Sequence, residues 1–545
     1  MAGIFLVFMT IPANSLNIWG GGQLLAYSGI DGTTDYNCGL VARTAFDGTA
    51  MEIKAPGNCL LKFSSQLPEK TMLAGDFFDL QVPTGRVRGV FLDAFHLLLE
   101  GPVDVLSSDK NIASLSRSNG RTLIGERQHF QADKIQTNLE TAMSQRRGWL
   151  NSAVQSLPGS HPPATLIKAL SVLKTQVYKP EGRINHRWTT PDRWPHRGMW
   201  LWDSVFHAIG WRHIDHELAR DMLAAVLDVQ RLDGFIPCRS DPYSAVDAVT
   251  QPPVLALGIK LVNELKPQRE WIEYVYPRLK AYLEWDLANR DRNKNGLLEW
   301  MIEQHENCRS GESGMDNSPR FDVSLNLDAV DFSAFMAREC EIMAEFARLL
   351  KRNDEEEQWR STHGKLCGLM NTFFWNEAEG FYVDYDPDRR TQSSVLASSG
   401  FLPLICGAAS QKQAQRLVAH LADPLMFGTP LPVPSIAAKD EEHYSKDMWR
   451  GPVWINLNWL IAFGCDRYGF KDAADEIRAK TRKEIEKYYN LYGALFEFYD
   501  DRRQAPPPQL LRKGRCAPEV SPYHHVVHDY GWTAALYTDL AIKQA

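Results

Sequence analysis

The chain has 545 residues, 44% of them apolar and 23% charged, with a formal net charge of −7. That length exceeds one ordinary domain, and the apolar share is that of a globular protein with a large core. A mildly acidic charge spread along the chain excludes the basic face of a nucleic-acid binder, and no apolar run approaches the roughly 18 residues that span a bilayer. Residues 3–9 are the longest apolar stretch near the start. They are short and follow no basic residue, so an N-terminal strand or the remnant of a trimmed signal is expected there. Nine cysteines form no CxxC pair and no Cys/His cluster at zinc spacing. They read as reduced core thiols, which favours a cytoplasmic protein over a secreted or periplasmic one.

Residues 1 to 130 predict a β-rich domain. Short apolar runs at 23–27, 39–43, 59–63, 77–82, 89–91 and 95–100 alternate with turn signals at Gly20–Gly22, Asp31-Gly32, Asp47-Gly48 and Pro56-Gly57. This spacing suits a sandwich, carries no chemical constellation, and implies a structural or rim-forming role. Residues 131–163 predict a helical linker, ending in a Pro/Ser/Gly-rich patch at 156–163. From 164 to 545 the period becomes 3.6, and 14 of the 16 tryptophans fall at or beyond Trp188. Twelve helices are expected, near 164–176, 202–212, 216–232, 252–266, 270–290, 328–352, 354–374, 395–406, 410–421, 451–468, 471–489 and 528–543. Twelve helices without alternating strands suit a closed ring of six helical hairpins. A solenoid would need a repeat of fixed period, and none is present.

Five loops between these helices are long and rich in Trp, Arg, Asp and Gly: 181–201, 235–251, 292–327, 423–450 and 491–528. In a ring of hairpins alternate loops emerge at one end, so these five are expected to build a funnel. They hold RGMWLWD at 197–203, where Trp200 and Trp202 offer stacking faces and Asp203 either caps a helix or faces the funnel. They also hold GMDNSPR at 314–320, with Asp316 and Arg320 expected to face solvent, and WRGPVW at 449–454, with Pro452 expected just inside a helix. Finally they hold LFEFYD at 495–500, in which aromatic neighbours make Glu497 tunable. Two separated carboxyls, aromatic platforms and an arginine are the parts of a glycoside hydrolase: one carboxylic acid protonates the departing oxygen, and the other activates water or attacks the sugar. There is no P-loop, dinucleotide fingerprint, GxSxG elbow or HExxH.

The segments HRGMWLWDS (196–204), DGFIP (233–237), QPP (251–253), ESGMDNSPR (312–320), WRGPVWINLNW (449–459), FEFYD (496–500) and HDYGW (528–532) stand in the order seen in glycoside hydrolase family 63, which this chain resembles over about 185–545. The resemblance implies a mainly α protein, an (α/α)6 barrel preceded by a β-rich N-terminal domain. It also implies inversion of configuration, with Asp316 as general acid and Glu497 as general base. By the same match Trp202, Asp203, Gln251, Trp449 and Arg450 would line the sugar subsite, and Trp200, Arg320 and Trp454 complete the candidate binding set. Two departures bear on the leaving group: Cys238-Arg239-Ser240-Asp241 after GFIP, and an Arg- and Pro-rich stretch at 500–508.

The expected activity is exo-hydrolysis of a terminal α-linked sugar, glucosyl first, from a small oligosaccharide or glycoside. Alternatives are trehalose, mannosylglycerate, or another α-glycoside such as a rhamnoside; a non-catalytic carbohydrate-binding protein is the rival class. No cofactor is required. Asp291, Asn293, Asn295 and Glu299 follow the first nine positions of an EF-hand-like calcium loop, but position twelve is Ile302, so a structural calcium competes with a plain Asx-stabilised turn. Neither nucleic acid nor membrane is an expected partner, and the oligomeric state is open.

Overall fold

Two antiparallel sheets face each other in the first part of the chain. The computed structural model describes residues 15–64, 66–117, 119–158, 162–244, 247–303, 305, 308–322, 324–514 and 526–542, so the stretch 3–9 lies outside them. The strands are β1 Leu24–Ala26, β2 Val41–Thr44, β3 Ala50–Ala55, β4 Cys59–Lys62, β5 Lys70–Leu73, β6 Phe77–Val82, β7 Gly85–Asp93, β8 His96–Glu100, β9 Asp104–Leu106, β10 Ile112–Ser116 and β11 Arg121–Glu126. One sheet runs β1-β2-β3-β4-β9 and the other β10-β11-β8-β7-β6-β5. Alternation sends Met51, Ile53 and Leu61 of the first sheet and Phe78, Leu80, Leu97 and Leu99 of the second into one core. The opposite face of the second sheet, through Val90, Leu98 and Leu123, joins the large helical core.

Helix α1 (Leu139–Gln155) is capped by Asn138, whose side chain accepts from Thr141 N, and it packs against β7. Beyond it follow α2 Ala164–Thr175, α3 Leu201–Trp211, α4 His216–Asp228, α5 Leu255–Leu265, α6 Arg269–Asn289, α7 Val330–Leu349, α8 Asn353–Phe373, α9 Pro403–Cys406, α10 Gln411–Ala422, α11 Ile455–Arg467, α12 Lys471–Tyr492 and α13 Gly531–Ile542. Asp215 caps α4 through Leu218 N, as its position before the apolar stripe predicts. Pro452 lies outside α11, which starts three residues later because Val453 pairs with Tyr499 in an extended bridge.

The helices fall into two kinds. Every residue of α3 is buried, and α13 is buried up to Leu540, whereas α8 buries only Trp359, Leu366 and Met370 along its length. Helices apolar all round belong inside a fold, and amphipathic ones at its surface. The contacts agree. Helix α3 packs on α5, α5 on α7, α7 on α9, α9 on α11, α11 on α13, and α13 returns to α3. Around this closed cycle α4 covers α3 and α5, α8 covers α7 and α9, and α12 covers α11 and α13. Among the described residues no helix is long and apolar enough to cross a membrane.

Candidate active site

All five long loops converge on one cleft of about 280 Å³. His196 and Trp200 come from the first loop, Arg239 and Gln251 from the second, Asp316 from the third, Trp449 from the fourth, and Glu497 with Arg512 and Lys513 from the fifth. Trp202 and Asp203 enter from the first turn of α3, Trp454 from the residue before α11, and Trp532 from the start of α13.

The loop carrying Asp316 is built from inside outward. Glu312 is fully buried, paired with Arg290 at 2.6 Å, and accepts Thr250 N at 3.0 Å and Met301 N at 2.8 Å. Asn317 Oδ1 takes Trp449 N at 3.0 Å, and Arg450 donates to Asn317 O at 3.2 Å and Asp322 Oδ2 at 2.8 Å. Gly314 sits at φ +69° with the Trp202 ring so close that a Cβ would fall 2.4 Å from it. Asp316 itself remains partly exposed, with Lys513 Nζ 3.4 Å from Oδ2. The Cys308 thiol, which lines the same cleft, is pushed up to about 12 by burial and by the Asp316 charge.

Glu497 is buried and held on both sides. Its backbone N–H donates to Val527 O at 3.0 Å, and Arg512 donates to its two carboxylate oxygens at 2.8 and 3.2 Å. Burial alone would lower the Arg512 guanidinium; the Glu497 charge overrides it and holds the group charged. Arg512 Nη2 also meets His196 Nε2 at 3.2 Å, and His196 Nδ1 reaches Asp192 Oδ2 at 2.6 Å. The guanidinium donates, so His196 Nε2 accepts and the Nδ1 proton faces Asp192. Burial pushes the Asp203 carboxyl well above the usual range, against the hydroxyl of Tyr530 at 3.3 Å, and the Asp192 and Glu497 charges add to the rise.

Aromatic faces wall the cleft. Trp449 and Trp454 stack at 4.0 Å and 2°, and Trp202 meets Trp532 edge-on at 5.3 Å. The indole N–H groups of Trp449 and Trp532 are buried with no hydrogen-bond partner among the described residues.

Two expected binding residues lie elsewhere. Arg320 is fully buried and does not face solvent: it pairs with Asp331 at 2.6 Å and Asp384 at 3.0 Å, carboxylates that draw the guanidinium into the core. Arg450 is not among the cleft-lining residues, because its guanidinium is spent on the Asp316 loop. Conversely, the sequence reading missed Arg512 and Lys513. The one signal was the unusual basic character of the residues after Glu497.

The Asp291–Glu299 turn closes on itself. Asn293 and Asn295 donate to Asp328 at 2.8 and 2.6 Å, Gly296 N donates to Asp291 Oδ2 at 3.0 Å, and Glu299 pairs with Arg292 at 2.6 Å. Asp291 Oδ1 is buried without a partner, and burial together with Glu299 and Asp291 pushes Asp328 up to about 6. That orphaned oxygen is one hard donor of the kind calcium takes. The Asn293 and Asn295 oxygens accept backbone N–H groups within the turn, and Glu299 is held by Arg292.

The family described as the mannosylglycerate hydrolase MGH1-like glycoside hydrolase domain matches residues 195–533, more than half of the chain. A mannosylglycerate hydrolase of Thermus thermophilus is 27% identical over 385 residues, covering 55% of this chain and 88% of that protein. The crystal structure of a GH63 mannosylglycerate hydrolase from Thermus thermophilus in complex with glucose superposes with a TM-score of 0.55 at 25% identity, over 68% of this chain and 98% of that one. A bacterial glucoamylase in complex with acarbose shares the fold over 98% of this chain and 95% of its own, with a TM-score of 0.62 and 11% identity.

Proposed function

This chain belongs to glycoside hydrolase family 63, and from that premise we propose that it is an inverting, exo-acting α-glycosidase with Asp316 as general acid and Glu497 as general base. Its substrate is a terminal α-glucosyl or α-mannosyl unit on a small aglycone such as glycerate, in keeping with the names of its relatives. The observation that carries the reading is the cleft itself: two carboxyls from loops far apart in sequence line one pocket, each beside a cation, Lys513 for Asp316 and Arg512 for Glu497.

In this mechanism the sugar lies against the Trp449, Trp202 and Trp532 rings, and the indole N–H groups of Trp449 and Trp532 donate to its hydroxyls. Asp316 gives its proton to the departing oxygen as the bond to the anomeric carbon breaks. Glu497 takes a proton from a water on the opposite face, and that water's oxygen forms the new bond. An inverting pair stands about 6.5–9.5 Å apart to leave room for this water. The reading takes the chain as a β-domain to about residue 130, a helical linker to 163 and an (α/α)6 barrel beyond; the closed cycle of helix contacts supports it. Calcium, where bound, would be held by Asp291, Asn293, Asn295 and Glu299 and would be structural.

The test is a screen of α-glucosyl- and α-mannosylglycerate, trehalose and aryl α-glycosides, with the product anomer followed by NMR. A β-anomer as first product is expected. Asp316→Asn and Glu497→Gln should each lower kcat by about a thousandfold or more with binding retained, and full activity in either would end the proposal.

A further inference from the structure

The described residues of the β-region reach the candidate base more directly than a rim would. Arg43 of β2 is buried and spends its guanidinium on four backbone carbonyls: Gly22 at 2.5 Å, His528 at 2.9 Å, Asp192 at 3.1 Å and Trp194 at 2.6 Å. Three of these, Asp192, Trp194 and His528, belong to the two loops that carry Glu497 and His196. His528 pairs with Phe496 in an antiparallel bridge, so its carbonyl is one residue from the Val527–Glu497 contact. Asp192 is the residue whose carboxylate holds His196, which in turn meets Arg512 on Glu497. The same corner is sealed elsewhere. Gln23 Nε2 donates to Gly493 O at 2.6 Å, Leu24 N donates to Asp529 Oδ2 at 2.9 Å, and Gly21 O meets His528 Nδ1 at 2.6 Å. Gly22 sits at φ +75° where a Cβ would fall 2.7 Å from His528 Nδ1, so the approach requires glycine.

We propose that the N-terminal β-region is the positioning element of the general base, acting through Arg43, which fixes the 192–196 and 526–529 segments and through them the Arg512–Glu497 pair. The inference rests on Glu497 being the base. Arg43 touches neither substrate nor the reacting atoms; it sets where the carboxylate stands relative to the attacked carbon. Misplacement by about 1 Å can cost about a hundredfold in rate. The matched family domain begins at residue 195, so Arg43 lies outside it.

The experiment compares five proteins on the glycerate glycoside that the wild type cleaves: wild type, Arg43→Met, Arg43→Lys, Glu497→Gln and Asp76→Asn. Asp76 joins the β-region to α2 through Lys174 at 2.5 Å and its backbone carbonyl accepts Phe91 N, contacts outside the 192–196 and 526–529 segments, so it serves as the structural control. Arg43→Met should lower kcat by about tenfold or more with KM within about threefold, and should displace the acid limb of the kcat profile, which reports the base. Arg43→Lys keeps the charge but loses the planar fork, so it should fold and fall between Arg43→Met and wild type. Asp76→Asn should lower Tm and leave kcat and the pH profile as in wild type. A wild-type kcat and acid limb in both Arg43 variants, or losses that merely track Tm as in Asp76→Asn, would overturn the inference while Glu497→Gln still reports the base. An active Glu497→Gln, or no glycoside turnover by wild type, would instead remove the base assignment and this inference with it.

Discussion

At the scale of single residues, the same side chain type meets opposite fates in and around the cleft. Arg512 lines the cleft and pairs with Glu497, whereas Arg320, on the loop that carries Asp316, is withdrawn between Asp331 and Asp384. Removing one partner from such a buried cluster leaves charges uncompensated, so Arg320→Met should cost about 3–5 kcal/mol in chemical denaturation. Gly314→Ala should act differently: the new Cβ cannot fit beside Trp202, so the Asp316 loop shifts and kcat falls by about tenfold or more for a modest loss of Tm. The tryptophans stood out in short dense motifs. Asp316 and Glu497 were singled out through the resemblance to family 63, because GMDNSPR alone reads as readily as a capping loop and FEFYD as a strand with an exposed Glu. Arg512 and Lys513 were not, since a basic pair in a Pro-rich stretch carries no periodicity and ordinarily marks a solvated loop. The direction of Arg320 was hidden for a related reason: its two carboxylate partners lie 11 and 64 residues away, and only folding brings them together.

At the scale of elements, helices announced themselves and strands did so unevenly. All twelve expected helices correspond to observed ones, because an apolar stripe at 3.6 spacing accumulates over three or more turns. The 395–406 prediction is realised as a 3-10 turn at Ser398–Phe401 followed by the short α9. Strands β3, β5, β9, β10 and β11 were not foreseen; β9 and β10 are short, with exposed residues alternating along them, so their apolar content is too low to stand out. The Asp291–Glu299 turn offers a test at this scale. Without an ion, burying the charged form of Asp328 costs stability as pH rises from about 4 towards its shifted value of about 6. A cation offsets that cost, so calcium should raise Tm above pH 6 by a few degrees and lose its effect as pH falls through 6. Scanning fluorimetry with calcium against EDTA at about pH 5 and about pH 7.5 measures it; equal curves at both pH values would favour the plain turn.

At the scale of the whole molecule, the β-region and the helices share buried ion pairs as well as apolar surface. Lys168 of α2 meets Asp529 at 2.8 Å, and Asp529 also accepts Leu24 N of β1; Lys174 joins Asp31 and Asp76. Such a boundary cannot open without stranding charges, so the two parts should unfold together. Tryptophan fluorescence reports almost wholly on the helical part, and labelling of the buried Cys59 thiol reports on the sandwich. Their urea transitions should coincide, and separated midpoints would show independent domains. One further consequence follows from the neighbouring cations. Arg512 and Lys513 are consecutive, so their Cα atoms are about 3.8 Å apart whatever else changes. The dipeptide is therefore a shared tether: one short segment pairs with Glu497 through Arg512 and with Asp316 through Lys513. Inserting a single residue between 512 and 513 would separate the two ion pairs along the chain, so one change of backbone length would reach Glu497 and Asp316 together.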